Sequence, residues 1–162
     1  MVWVAISKRG VSKLFVAQED FYECPLYKSQ ALTNVFHLWT NTTRSDVVFW
    51  LDLAACHYGK ISTEFMEKER LYFVKRHQNT PNAPQIRPIE QYWGILKQKV
   101  YQNNWSAQSR EQLIARIKWA VKQIDPEIIT KMFDHLPSKI RRAQENGLDS
   151  VLRSTFSFFE SF

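Results

Sequence analysis

The chain has 162 residues, 44% apolar and 23% charged with four glycines, a composition that excludes a disordered segment and suits one folded domain. Its longest apolar run is about five residues, against the ~20 that a membrane-crossing helix requires, and Lys8-Arg9-Gly10 interrupts the opening apolar stretch where a secretory signal would continue. Basic side chains outnumber acidic ones by 22 to 16, and the net charge of +6 fits a polyanionic partner as well as it fits solubility.

Taken in chain order, Val2-Trp3-Val4-Ala5-Ile6 and Lys13-Leu14-Phe15-Val16-Ala17 predict two strands joined into a hairpin by Ser7-Lys8-Arg9-Gly10. Ala31, Leu32, Val35, Phe36 and Trp39 form one stripe, which predicts a helix over 27–40, followed by a polar loop at 40–45. Residues 47–52 predict a third strand, apolar at every position until its end and so expected to be covered on both faces. A short helix near 62–69 with Ser62 as N-cap comes next, then a fourth strand, Leu71-Tyr72-Phe73-Val74.

Lys75 to Arg87 reads as a basic loop punctuated by Pro81 and Pro84, delivering the chain to Pro88 at the first position of a helix over 88–102. Ile89, Tyr92, Trp93, Leu96 and Val100 make its core stripe. A helix over 107–124 follows, packing through Leu113, Ile117, Ala120, Val121 and Ile124 and stopped by Asp125-Pro126. Two short helices, 126–134 and 137–146, end at Gly147, and the aromatic-rich tail 153–162 stands apart. Strands and helices in this order imply an α/β domain, a mixed sheet with helices on both faces.

Two carboxylates occupy unlike settings in that scheme. Asp52 ends the apolar run Val47–Leu51, and Glu90 lies in the first turn of the helix that Pro88 opens. A strand ending in Asp and a helix beginning Pro-x-Glu bring two negative groups toward one sheet edge, an arrangement suited to a divalent cation. The plainer account is that Asp52 caps the next turn and Glu90 complements the helix dipole. Cys24 and Cys56 lack the spacing of a disulfide framework or zinc site, and Cys56-His57 has no second pair at ligand spacing. His57 is expected to pack or orient beside Asp52. Glu90, Gly94, Lys97 and Tyr101 share one helical stripe, with Gly94 either admitting a nucleic-acid backbone or relieving crowding against a neighbouring helix. Lys75, Arg76, Arg87 and Lys97 are the candidate phosphate contacts; Trp39, Trp50, Tyr92 and Trp93 fall at core positions.

Three segments resemble the catalytic domain of Tc/mariner superfamily transposases. Met1-Val2-Trp3-Val4-Ala5-Ile6-Ser7 is similar to the family's second-strand block. Leu51-Asp52-Leu53-Ala54-Ala55-Cys56-His57 resembles the block holding the second catalytic Asp, and Pro84-Gln85-Ile86-Arg87-Pro88-Ile89-Glu90-Gln91-Tyr92-Trp93-Gly94-Ile95-Leu96-Lys97 resembles the block holding the last acid. The similarity runs over residues 1–152, with 37 residues between Asp52 and Glu90. Leu53-Ala54-Ala55 departs from the family's Gly-Ala-Pro, and Ala83-Pro84-Gln85-Ile86-Arg87-Pro88 departs from its Ser-Pro-Asp-Leu-Asn-Pro.

The resemblance implies a ribonuclease H-like domain whose first strand, with the first catalytic Asp, would precede Met1. It implies a nuclear protein of a transposable element, with DNA as partner and Mg²⁺ or Mn²⁺ as cofactor. Asp52 and Glu90 would be the flanking metal ligands, and the acid that bridges two ions would be the one the chain lacks. The expected activity is therefore nucleic-acid binding with ancestral, metal-dependent cleavage and strand transfer. The alternatives are an active transposase whose sequence continues upstream and a fragment that pairs with intact transposase. Without the central first strand, strands 2–6 and 47–52 would have open edges, to be closed by each other, by the tail, or by a second chain in a homo-oligomer.

Overall fold

Residues 2–16, 47–79 and 83–151 are described in the computed structural model. The helix expected over 27–40, the loop after it and the tail lie outside them. The described residues are mostly helical, with five α-helices and two small antiparallel ladders. Residues 2–5, 11–16 and 47–79 belong to one compact unit, and 6–10 with 83–151 belong to another.

The predicted hairpin forms in pieces, its ends in the first unit and residues 6–10 in the second. β1 (Val2–Trp3) pairs antiparallel with β4 (Phe15–Val16) in the register Val2–Val16 and Trp3–Phe15. β2 (Ile6–Ser7) and β3 (Gly10–Val11) form the second ladder. A serine separates the two ladders: the Ala5 N–H donates to Ser12 Oγ at 2.9 Å, while Ser12 N–H donates to the Ala5 carbonyl at 2.8 Å. A side chain that captures a backbone N–H in this way stands in for a regular ladder bond. Gly10 sits at φ +130°, where only glycine is unstrained, and a Cβ there would meet nothing.

Two sequence expectations are corrected here. Among the described residues the run 47–52 is not a continuous strand covered on both faces: there only Phe49 pairs, through an isolated parallel bridge to Phe73, and Val48 is 52% exposed. Phe49 and Leu51 turn inward to Ala5 and Met66, so one face is covered, while the alternate face leaves Val48 exposed and Trp50 half-buried. The strand expected at 71–74 is likewise reduced to that bridge, with Phe49 N–H donating to the Tyr72 carbonyl and Val74 N–H to that of Phe49. Among the described residues there is no continuous mixed sheet.

The helix predicted at 62–69 runs as α1, Lys60–Lys68, and Ser62 is not its cap. Ser62 is buried inside the first turn and donates to the Cys56 carbonyl at 2.8 Å. Gly59 stands at the N-cap instead. The helix stops where Arg70 adopts φ +54° and the Leu71 N–H donates to the Met66 carbonyl, a left-handed ending more often given to glycine.

The second unit follows its sequence closely. The basic loop contains the short turns Arg76–Gln78, in the first unit, and Pro84–Ile86, in the second. α2 (Pro88–Val100) begins at the proline as expected and buries Tyr92, Leu96 and Val100; Ile89 and Trp93 are half-buried. α3 (Arg110–Lys122) starts at Ser109, whose hydroxyl accepts the Gln112 N–H, three residues later than the apolar stripe suggested. α4 (Pro126–Asp134) is capped by Asp125, which accepts the Glu127 N–H at 2.8 Å. α5 (Leu136–Asn146) ends at Gly147, φ +77°. Ile86, Leu96, Val100, Ala120, Ile124, Ile129, Met132 and Val151 supply the buried apolar side chains of this unit. The hairpin tip joins it through the Lys8–Asp134 ion pair.

Candidate metal and nucleic-acid site

Asp52 follows the last inward-facing residue of its segment, Leu51, and its carboxylate is about half exposed. Its Oδ1 accepts the Ala54 N–H at 2.8 Å and lies 3.1 Å from Nε2 of buried His57. His57 is carried by the short turn Ala55–Tyr58, whose own His57 N–H donates to the Ala54 carbonyl. The carboxylate thus closes the turn and holds the imidazole, combining the capping role with the orienting contact expected of His57.

Behind Asp52 lies a polar network that sequence reasoning missed. Asn79 is buried; its Oδ1 accepts from Trp50 Nε1 at 2.9 Å, and its Nδ2 donates to the Leu51 carbonyl at 2.7 Å and to Tyr58 Oη at 2.8 Å. Tyr58 Oη in turn donates to the Val74 carbonyl. One amide therefore joins the segment that carries Asp52, the turn that carries His57 and the segment after the Phe73 bridge. Only the amide chemistry of Asn hinted at this.

Glu90 is exposed in the first turn of α2, where a carboxylate is favoured by the helix dipole. Gly94, Lys97 and Tyr101 are exposed with it, so the stripe read from the sequence faces solvent. A Cβ on Gly94 would meet nothing within 4 Å, which removes crowding against a neighbouring helix as the reason for glycine there.

Asp52 belongs to the first unit and Glu90 to the second. Both are oxygen ligands of the kind Mg²⁺ and Mn²⁺ take. Among the described residues, however, no three His, Cys, Asp or Glu side chains gather as a metal-ligand set. The described residues do not fit a two-ion centre, and cleavage chemistry is not assigned to these two acids by themselves.

Of the candidate phosphate contacts, Lys75 and Arg76 are exposed in the first unit and Lys97 is exposed in the second. Arg87 differs from its expected place on a solvated loop. It is only 8% exposed and forms the N-cap position of α2, with its N–H donating to the Pro84 carbonyl. Trp50 and Trp93 are half-buried and Tyr92 fully so, in keeping with their core positions.

A second feature absent from the sequence reasoning closes the far end of α2. Arg116 on α3 donates through Nε to the Val100 carbonyl at 3.1 Å and through Nη2 to that of Lys99 at 3.5 Å, satisfying carbonyls a helix terminus leaves open. Its guanidinium lies 4.1 Å from the Trp119 ring centroid and 5.2 Å from that of Trp105. The spacing of Arg116 and Trp119, three residues apart on one helix, was the available signal.

No model of a known protein family matches the chain, and no curated protein matches it. Among the described residues no helix is long and apolar enough to cross a membrane.

Proposed function

We propose that this chain is a nucleic-acid-binding protein derived from the ribonuclease H-like catalytic domain of a Tc/mariner transposase, working in the nucleus on DNA, with a vestigial metal site. The observation that carries this is the retention of both acids within their characteristic blocks, Asp52 in Leu51–His57 and Glu90 in Pro84–Lys97, each at a solvent-exposed position. Basic charge supports it. The described helical unit carries thirteen basic against seven acidic side chains, while the described first unit carries six against four.

Cleavage takes more than these two acids. Two divalent ions stabilise an attacking and a leaving oxygen only when held together, and the bridging ligand contributes most to that. Asp52 and Glu90 alone would hold Mg²⁺ or Mn²⁺ weakly, and Asp52 already spends Oδ1 on Ala54 and His57. An active transposase is the alternative, favoured by the exposure of both carboxylates.

Duplex DNA binding measured beside Mn²⁺-dependent plasmid nicking separates the two. Binding without nicking is expected from this chain. Nicking that disappears in Asp52→Asn and in Glu90→Gln would establish an enzyme and contradict a vestigial site. A chain that neither binds nor nicks DNA would end the proposal.

A further inference from the structure

We propose that the corner of the helical unit where α2 meets α3 is a stacking platform for unpaired bases of a single-stranded nucleic acid, built from Tyr101, Trp105, Arg116 and Trp119. The inference deepens the nucleic-acid reading above, and rests on it only for the polyanionic partner.

The geometry is specific. Arg116 is pinned by two backbone carbonyls of α2 and lies against two indoles, so its position is fixed before any ligand arrives. Trp119 is nevertheless 38% exposed and Tyr101 54% exposed. Tyr101 follows directly on the carbonyl that Arg116 holds, and Trp105 comes after the short turn Gln102–Asn104. Within that turn Asn103 and Asn104 both adopt left-handed backbone, at φ +59° and +57°. Asparagine adopts that region more readily than other side chains, so this turn sets the step of the chain from Tyr101 to Trp105.

An exposed aromatic face polarised by a fixed guanidinium stacks on any base, and the adjacent exposed cations Lys97 and Lys118 supply phosphate contacts along the strand. A double helix keeps its base faces stacked inside, so the platform discriminates in favour of unpaired strands. Oligo(dT) and oligo(rU) present similar pyrimidine faces and differ in the 2′-hydroxyl and in the thymine methyl group.

Fluorescence anisotropy of labelled oligo(dT), oligo(rU) and a duplex of equal length tests this with the full chain. Trp119→Ala and Tyr101→Ala are exposed positions that keep the two carbonyls to which Arg116 donates, and circular dichroism verifies that each variant is folded. Each is expected to weaken binding of the single strands roughly tenfold, while duplex affinity stays within about twofold of the native chain. Tighter binding of oligo(rU) or of oligo(dT) assigns the strand as RNA or DNA. If duplex binds but both folded variants hold single strands as the native chain does, the platform is wrong and the transposase-derived reading stands. If single strands bind in a Trp119-dependent way and duplex does not bind at all, the platform stands and that reading falls. Binding to neither overturns both.

Discussion

The two units are held together by different physics. In the first, one short β-ladder and the Phe49–Phe73 bridge are tied by side-chain amides and hydroxyls, Ser12 at the Ala5 backbone and Asn79 at the Leu51 carbonyl, over a core of Ala5, Phe49, Leu51 and Met66. In the second, long helices bury apolar stripes on one another, and Ser109, Asp125 and Arg116 satisfy their ends. Polar ties are exacting because each lost partner leaves a buried group unsatisfied, whereas stripe packing loses energy in proportion to the volume removed.

Substitutions sharpen that contrast. Leu96→Ala removes a buried side chain from α2 and is expected to cost about 3 kcal/mol, with hydrogen exchange accelerating across 88–134 and little change at 47–79. Asn79→Ala should cost about 2 kcal/mol by stranding Trp50 Nε1 and the Leu51 carbonyl, with the opposite exchange pattern. If either substitution loosened both units equally, the division in their stabilising forces would be wrong.

Tyr92 gives a pH signature within the helical unit. Its hydroxyl is buried and finds no hydrogen-bond partner among the described residues, and desolvation pushes its pKa from 10.0 to about 12. The folded state then keeps a proton that the unfolded chain releases, so stability falls as pH rises from about 10 toward 12. In Tyr92→Phe that part of the fall should vanish, with stability at pH 7 unchanged or slightly raised, as urea titrations at several pH values would record. A loss of stability at pH 7 would reveal a partner for the hydroxyl. The smallest effect is a gain: Gly94→Ala should stabilise α2 by up to about 1 kcal/mol, since the new methyl meets nothing. A destabilised variant would show that the glycine serves packing after all.

The same contrast explains what the sequence made legible. Helical periodicity, Pro88, Pro126 and Gly147 are local signals, and α2, α4 and α5 appear within a few residues of where those signals put them. Strand pairing depends on remote neighbours, so the apolar run 47–52 gave no notice that, among the described residues, only Phe49 would pair. Ser62 looked like a cap because it precedes an amphipathic stretch, yet its hydroxyl was needed one turn back at the Cys56 carbonyl. Asp52, His57 and Glu90 were visible as chemistry-bearing residues; that the two acids belong to separate units was not. The burial of Arg87 was not legible either, since a cation beside Pro88 reads as solvated loop until the N-cap position buries it.

The dependence of duplex DNA affinity on salt tests the central claim most directly, measured for the native chain and for Lys97→Ala. Several phosphate contacts would make log K fall steeply with log salt, by about 0.9 per contact, and removing Lys97 should flatten that slope by about 1. An affinity insensitive to salt, or a slope untouched by the loss of Lys97, would contradict a polyanion-binding surface on the helical unit.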